Sequence, residues 1–314
     1  MESATMTCIE NTMTQTTISK QLDENGTPIL PPPPTRWWLE CLSTILVAFI
    51  SPVLIPPFVL IGGKLKFKEI IRLARSVWDA TGNPIQKLPE YQDSKYLRQV
   101  YKQASAKHYI EQDALMWQPR EGYCGKTTLY CALASYSSVP RECLPEVTNQ
   151  PVQPESFCSI LKDTLSKSSQ ISPNNLGSSK DTNSIPNIEG EVVSGSVPYS
   201  KFLRSIRRVR NDSERVVVNF HRGVLFGYNK KTWWSPGHHI MTTLFGHFSP
   251  VIAVLETESA DNPLVAVFDV NHKYGGTYLV PARRMYEAIH APDVTTGRSR
   301  AMVVLTNKDS LSHS

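Results

Sequence analysis

The alternation of apolar and polar residues divides the chain into a helical part followed by a strand-rich part. Residues 64–117 carry apolar side chains at helical spacing, first around residues 70–78 and again between Tyr96 and Tyr109. A further helix is predicted after Cys124, because Leu129, Ala132, Leu133 and Tyr136 fall at i, i+3, i+4 and i+7 and predict one buried stripe.

Short runs rich in β-branched residues follow and predict strands at residues 215–220, 248–256, 264–270 and 301–306. The polar turn TESADN separates the second run from the third, which predicts an antiparallel hairpin. Helices surround Cys124 and strands follow it, so the predicted fold class is α+β, with helices packed on an antiparallel sheet.

The first 63 residues have a different pattern. Residues 1–36 are polar, carry four consecutive prolines at positions 31–34 and predict a disordered arm. The stretch Cys41–Gly63 holds 23 residues without a formal charge, which as a helix would span ~35 Å against a hydrocarbon core of ~30 Å. We interpret residues 37–63 as a membrane segment, and its three prolines allow either a kinked span or a re-entrant hairpin. A buried core helix is the alternative.

The charge distribution and the cysteine content indicate on which side of a membrane the chain lies. Five basic residues follow the membrane segment closely whereas Arg36 stands alone before it, which predicts that the C-terminal bulk of the chain faces the cytosol. The six cysteines form no paired framework, and this favours reduced thiols. A net charge of +5 is too small to indicate nucleic-acid binding, and the basic cluster at residues 204–210 is interpreted as a solvated helix face.

The remaining boundaries follow from composition. A folded domain is predicted over residues 64–306, with a low-complexity surface excursion at 145–198 that contains one helix near residues 155–165, and a tail at 307–314. No Cys or His pair has the spacing of a zinc site, so no resident metal is predicted. The sequence is compatible with a homodimer.

Cys124 stands at the amino end of its predicted helix, where free N–H groups and the helix dipole stabilise an anion and lower a thiol pKa. The neighbouring Gly125 removes a side chain that would block approach. Gln118, six residues upstream, carries an amide that can donate to an oxyanion. A buried structural cysteine is the competing interpretation.

The predicted hairpin places His247, at the start of one strand, beside Asp269, at the end of the next. An aspartate that accepts from one imidazole nitrogen leaves the other nitrogen to face a thiol. Gly246 leaves room for close approach at this point. His272, close to Asp269 in sequence, is the rival for the role of base.

These residues lie in motifs that resemble the catalytic domain of phytochelatin synthase, a papain-like thiol enzyme. The matching stretches are Q-x5-C-G, FHRGVL, GHFSPVIAVLE, AVFDV and LVPARRMYEAIHAPDVTTGRSRAMVVL, in that order. The resemblance implies a papain-like cysteine-protease fold, with Cys124 as nucleophile, His247 as general base, Asp269 as orienter and Gln118 in the oxyanion hole.

The resemblance also implies the chemistry. Such an enzyme attacks the Cys–Gly peptide of glutathione, releases glycine and holds a γ-glutamylcysteinyl acyl-enzyme that a second glutathione accepts. No cofactor is implied for the chemistry. Heavy-metal ions (cadmium, zinc, copper) are implied as activators, bound as glutathione thiolate complexes, so the expected partners are glutathione, metal–glutathione thiolates and the membrane.

The chain departs from the family after Asp269. Family members usually carry an arginine in a stretch resembling ARFKYPP, where this chain has NHKYGG. Lys273 or Arg283 is therefore a candidate to bind the substrate carboxylate, and Gly246 is a third candidate substrate-binding residue. Two alternatives stay open, namely a thiol peptidase that hydrolyses glutathione or its S-conjugates, and a catalytically inactive membrane-bound interaction module.

Overall fold

The computed structural model describes residues 30, 67–150, 152–170, 187–227, 246–294 and 296–309. The predicted arm (1–36) lies almost entirely outside these residues, and the predicted membrane segment (37–63) lies wholly outside them, as does most of the tail (307–314). Within the described ranges, no helix combines the length and the apolar character that crossing a bilayer requires.

Eight α-helices run through the described residues: α1 Phe67–Gly82, α2 Ser94–Lys102, α3 Ala104–Glu111, α4 Cys124–Ala134, α5 Pro154–Gln170, α6 Tyr199–Arg207, α7 Arg222–Phe226 and α8 Ala282–His290. Six strands accompany them: β1 Ile188–Ser194, β2 Glu214–His221, β3 Gly246–Leu255, β4 Leu264–Phe268, β5 Thr277–Pro281 and β6 Ala301–Asn307. The α+β prediction is confirmed.

The strands form one antiparallel sheet in the order β1-β6-β2-β3-β4-β5. Its side chains alternate between two helical layers. Val216 and Val218 of β2 pack with α1, α6, α7 and α8, whereas Val217 between them packs with α4 and α5. Because helices cover both faces, all eight residues of β2 are buried, and the central strands appear in the sequence as nearly continuous apolar runs.

The excursion predicted at 145–198 needs a correction at its carboxyl end. Its helix is present as α5, but residues 188–194 form β1 and pair with β6 along seven residues. β1 is an edge strand with several exposed positions and two glutamates, so its sequence lacks the apolar run of a central strand. The segment therefore extends the sheet.

The stripe predicted for α4 is buried, but it is only part of the buried surface of this helix. Thr127, Thr128 and Cys131 lie on other sides of α4 and are also fully buried. Gly125 is buried as well, and a Cβ there would overlap Val152, so this glycine serves packing as well as access. The helix that begins at Cys124 thus crosses the interior of the domain, with only its amino end reaching the site.

Candidate active site

The site forms where the amino end of α4 meets the first residues of β3. Cys124 is the first residue of α4 and is partly exposed, while His247 is the second residue of β3 and is 1% exposed. His247 and the backbone of Phe248 lie close enough to the Cys124 thiol to lower its pKa through hydrogen bonding. The two residues of this candidate pair are therefore carried by a helix and a strand of the folded domain.

The predicted hairpin is present and brings His247 to Asp269. β3 and β4 pair antiparallel with Val251 opposite Val267, and extending this register past β4 carries Asp269 to the level of Ser249, near His247. Nε2 of His247 lies 2.7 Å from Oδ1 of Asp269. The predicted proximity of these two residues is confirmed.

Asp269 is fully buried and is held by more than the histidine. Its Oδ1 also accepts from the backbone N–H of Asn271 at 2.8 Å, and its Oδ2 accepts from the hydroxyl of Tyr278 at 3.2 Å. These donors fix the carboxylate, and through Nε2 they fix the orientation of the His247 ring. Asn271 and Tyr278 were missed by the sequence analysis, because neither side chain carries a charge.

The charges of the site favour an ionised sulfur. Burial alone would raise the pKa of the Cys124 thiol, but the hydrogen bond and charge of His247, the Phe248 bond and the charge of Arg222 hold it below its ordinary value. Burial and Arg222 would lower the pKa of His247, but the charge and hydrogen bond of Asp269 raise it. The two shifts have opposite directions, as a thiolate–imidazolium pair requires.

Arg222 is a site residue that the sequence analysis did not single out, although it lies in the quoted FHRGVL motif. It begins α7 and is 6% exposed, and its Nη2 lies 2.7 Å from Nδ1 of His247. Its guanidinium lies over the ring of Tyr274, 4.9 Å from the centroid. While Nδ1 is unprotonated it accepts from Arg222, and once it takes the thiol proton the guanidinium can instead face the sulfur anion.

Glu121 links Arg222 to the loop that follows Asp269. Its carboxylate accepts from Nδ2 of Asn271 at 2.9 Å and lies 3.5 Å from Nη1 of Arg222 and 3.8 Å from Nζ of Lys273. Burial would raise the pKa of Glu121, but Arg222, Lys273 and Asn271 lower it to about 2. Lys273, whose side chain is 37% exposed, is therefore linked to Arg222 through Glu121.

The other residues proposed from sequence are placed as follows. Gln118 is 3% exposed, and its backbone N–H donates to the carbonyl of Val270 at 2.7 Å. Its side-chain Oε1 has no hydrogen-bond partner within the described part of the chain. The prediction that places Arg283 at the site needs correction. Its guanidinium stacks on the ring of Tyr199, and its backbone N–H donates to the side chain of Asn262, beside the β3–β4 turn. That turn lies at the opposite end of β3 from His247, so Arg283 is not at this site.

The competing histidines have other contacts. His221 is buried, and its Nδ1 accepts from the N–H of Val224, so it caps α7. His272 lies in a short 3-10 turn with its ring edge toward Trp117. His238 and His239 lie outside the described residues. His247 is thus the histidine that the described residues bring to Cys124.

Arg300 lies behind the site, close to Gly246. Its side chain is 2% exposed, and its Nη1 donates to Asp293 at 3.1 Å and Asn219 at 3.4 Å. Burial lowers its pKa to about 10, against the opposing effect of Asp293. Its Nε and Nη2 find no partner among the described residues, which leaves two donors of a buried cation unused.

Gly246→Ala should disturb the site because the added methyl group would collide with Arg300. A Cβ at position 246 would lie 2.5 Å from Oδ1 of Asn219 and would overlap the Arg300 guanidinium, so β3 must shift at the residue before His247. We expect a loss of about 1–3 kcal/mol in the free energy of unfolding, measured by denaturant titration, and a lower kcat/KM. Gly82→Ala is the matched control, because nothing lies within 4 Å of its Cβ. If Gly246→Ala had the same stability and activity as Gly82→Ala, the close packing of Gly246 against Asn219 and Arg300 would not matter to the site.

Metal-ligand geometry is not seen in the described part of the chain, where no group of three or more His, Cys, Asp or Glu side chains could hold an ion. Cys131, on the same helix as Cys124, is buried with its pKa raised to about 12 by burial. Its sulfur faces the carbonyl of Met116 at 4.0 Å. Cys131 therefore packs in the core.

Comparison with known proteins agrees with the motifs. The family model described as phytochelatin synthase matches residues 90–302, which is more than half of the chain and includes all the residues of the Cys124 site. A comparison with curated proteins finds no match. The family is one of glutathione γ-glutamylcysteinyltransferases, so a glutathione-processing function is supported in general terms. By this match the chain belongs to the phytochelatin synthase family.

Proposed function

We propose that the protein is a γ-glutamylcysteine dipeptidyl transpeptidase that acts on glutathione through an acyl-enzyme on Cys124. The observation that supports this proposal is the 2.7 Å contact of His247 with Asp269 beside Cys124, at the amino end of a buried helix, in a chain of this family. A nucleophile on a central helix that faces a histidine on an antiparallel sheet also fits the papain-like fold that the resemblance implies.

In the acylation half-reaction, the Cys124 thiolate attacks the carbonyl carbon of the cysteine residue in glutathione. The carbonyl oxygen takes up the negative charge, which the Cys124 N–H and the Gln118 amide would stabilise. His247 then gives its Nδ1 proton to the glycine nitrogen, the C–N bond breaks and glycine leaves. A γ-glutamylcysteinyl thioester remains on the enzyme.

In the second half-reaction, the amine of another glutathione attacks this thioester while His247 takes its proton. The C–S bond breaks, the thiolate returns and the product is one γ-Glu-Cys unit longer. The cations proposed to hold a substrate carboxylate are Arg222, whose charge acts on the Cys124 thiol, and Lys273, which Glu121 links to Arg222. Cadmium, zinc or copper would enter as glutathione thiolate complexes, that is, as part of the substrate.

The proposal includes membrane attachment through residues 37–63, with the catalytic domain in the cytosol. Its support is the uncharged stretch Cys41–Gly63 and the basic residues that follow. A cytosolic site would have access to glutathione and to reduced thiols. A homodimer stays a prediction from the sequence, as does the absence of nucleic-acid binding.

The full-length protein in detergent micelles, given glutathione and cadmium, should release glycine and form γ-Glu-Cys oligomers detectable by mass spectrometry. Release of glycine without oligomers would replace the proposal with a thiol peptidase acting on glutathione or its S-conjugates. If neither glycine nor oligomers formed under any of the three metals, the inactive interaction module would be favoured. Omitting the metal serves as the control for activation.

A further inference from the structure

Helix α1 exposes large apolar side chains that a water-facing helix would bury. Trp78 is 78% exposed and Ile71 is 47% exposed, and among the described residues Val192 is the one other exposed large hydrophobic side chain. Both residues belong to the helical periodicity seen in the sequence, but the positions that α1 buries are Leu73, Val77 and Ala80. An apolar surface left exposed in this way indicates a partner.

The same exposed face carries a row of cations. Lys68, Arg72 and Arg75 follow one another at i, i+4 and i+7, so they lie on one side of α1, and all three are exposed. The structure shows no ion pair to these three side chains within its described residues, and Asp79 is the one exposed acid on this helix. Like charges at this spacing weaken a helix unless an anionic partner compensates them.

The exposed face is held in a fixed orientation. On the opposite side of α1, Val77 packs against Gly223 and the carbonyl of Ala80 contacts Gly227, both in the α7 region. Gly227 has φ +70° and leaves no room for a Cβ there. The cations and Trp78 therefore point away from the domain as one surface.

The preceding sequence suggests what that surface meets. The uncharged stretch Cys41–Gly63 ends four residues before Phe67, where α1 begins. Four residues span at most ~14 Å, so if the stretch lies in a bilayer, the first turn of α1 must lie at or near the head groups. Tryptophan concentrates at that interface, and arginine and lysine bind anionic head groups there.

We propose that the exposed face of α1, formed by Lys68, Ile71, Arg72, Arg75 and Trp78, binds the head-group layer of an anionic bilayer. This surface is a second membrane contact, which rests on the proposed attachment through residues 37–63. It orients the catalytic domain, because α1 lies flat on the lipid and packs on α7, whose first residue, Arg222, contacts His247.

The test uses the full chain reconstituted in phosphatidylcholine vesicles, with and without phosphatidylserine. A photoreactive p-benzoylphenylalanine replaces Trp78, and in a matched control it replaces Lys95, which is exposed on α2 at the opposite face of the sheet. We expect cross-links to lipid from position 78 and none from position 95. The lipid cross-links should fall several-fold without phosphatidylserine and in the variant Lys68→Glu/Arg72→Glu/Arg75→Glu.

Cross-links from position 78 to residues 37–63 of the same chain, or to a second copy of the chain, would overturn the inference. So would the absence of lipid cross-links in a chain that floats with the vesicles. If the chain did not float with the vesicles at all, the proposed membrane attachment through residues 37–63 would be wrong as well. Glycine release would still show, independently of the membrane, whether the proposed enzyme activity is present. Glycine release by the triple variant in detergent should equal that of the unmodified protein, which shows that it is folded.

Discussion

Cys124→Ser should abolish both glycine release and oligomer formation, with a fall in kcat/KM on the order of 10⁴-fold or more. A serine hydroxyl at this position lacks the lowered pKa that the surroundings give the thiol, so the attacking anion is lost. Because Cys124 is partly exposed and a hydroxyl is smaller than a thiol, the free energy of unfolding should change little. Mass spectrometry of glutathione reactions measures both products.

Cys143→Ser is the matched control for the loss of a thiol. Cys143 is also free and partly exposed, but it lies in the 3-10 turn Arg141–Cys143, outside the site. This variant should keep the rate of the unmodified protein. If Cys124→Ser kept every cellular effect of the protein, the interaction-module interpretation would stand in place of the enzyme, and continued glycine release by this variant would contradict Cys124 as the nucleophile.

Asp269→Asn should lower kcat/KM by roughly 10³- to 10⁴-fold, as expected when the group that orients a catalytic histidine loses its charge. The carboxylate now raises the pKa of His247 through charge and a 2.7 Å hydrogen bond. Without it, the imidazolium is less stable, and the pKa of Cys124 should rise toward the ordinary value of ~8.5. Asp269→Asn should therefore reduce the fraction of Cys124 that is ionised at neutral and lower pH.

The pH dependence of Cys124 alkylation by iodoacetamide reads out this loss, with the modified peptide identified by mass spectrometry. In the unmodified protein alkylation should persist below neutral pH, and in Asp269→Asn its midpoint should move upward. Tyr278→Phe is the control: it removes one hydrogen bond to Oδ2 but keeps the carboxylate, so its effect should be far smaller. An unchanged alkylation profile in Asp269→Asn would contradict the role of Asp269.

The hairpin shows how far sequence reasoning reaches. Two apolar runs and a polar turn between them fix an antiparallel pair, and that pairing alone brings His247 to Asp269 over a separation of 22 residues. The four predicted strands were found because they are buried on both faces and rich in β-branched residues. β5 was missed because its sequence TYLVP has three apolar residues between a threonine and a proline, whereas the equally short β4 is the continuous apolar run LVAVF.

The ionic surroundings of the site could not be predicted in the same way. Glu121, Arg222 and Asn271 come from three separate segments, and no sequence spacing indicates that they meet. Arg283 shows the converse error, since a charge that is near in sequence was assigned to the site although α8 begins at the far end of the sheet. Contacts that depend on how helices pack on the sheet need the three-dimensional arrangement.

The account depends on Cys124 becoming acylated by part of its substrate. Brief exposure of the protein to glutathione, acid quenching and peptide mass spectrometry measure this directly. We predict an adduct on Cys124 with the mass of glutathione less glycine, which hydroxylamine removes and a disulfide reductant does not. Finding only a reductant-sensitive glutathione disulfide, or an unmodified Cys124 while glycine is being released, would contradict the acyl-enzyme.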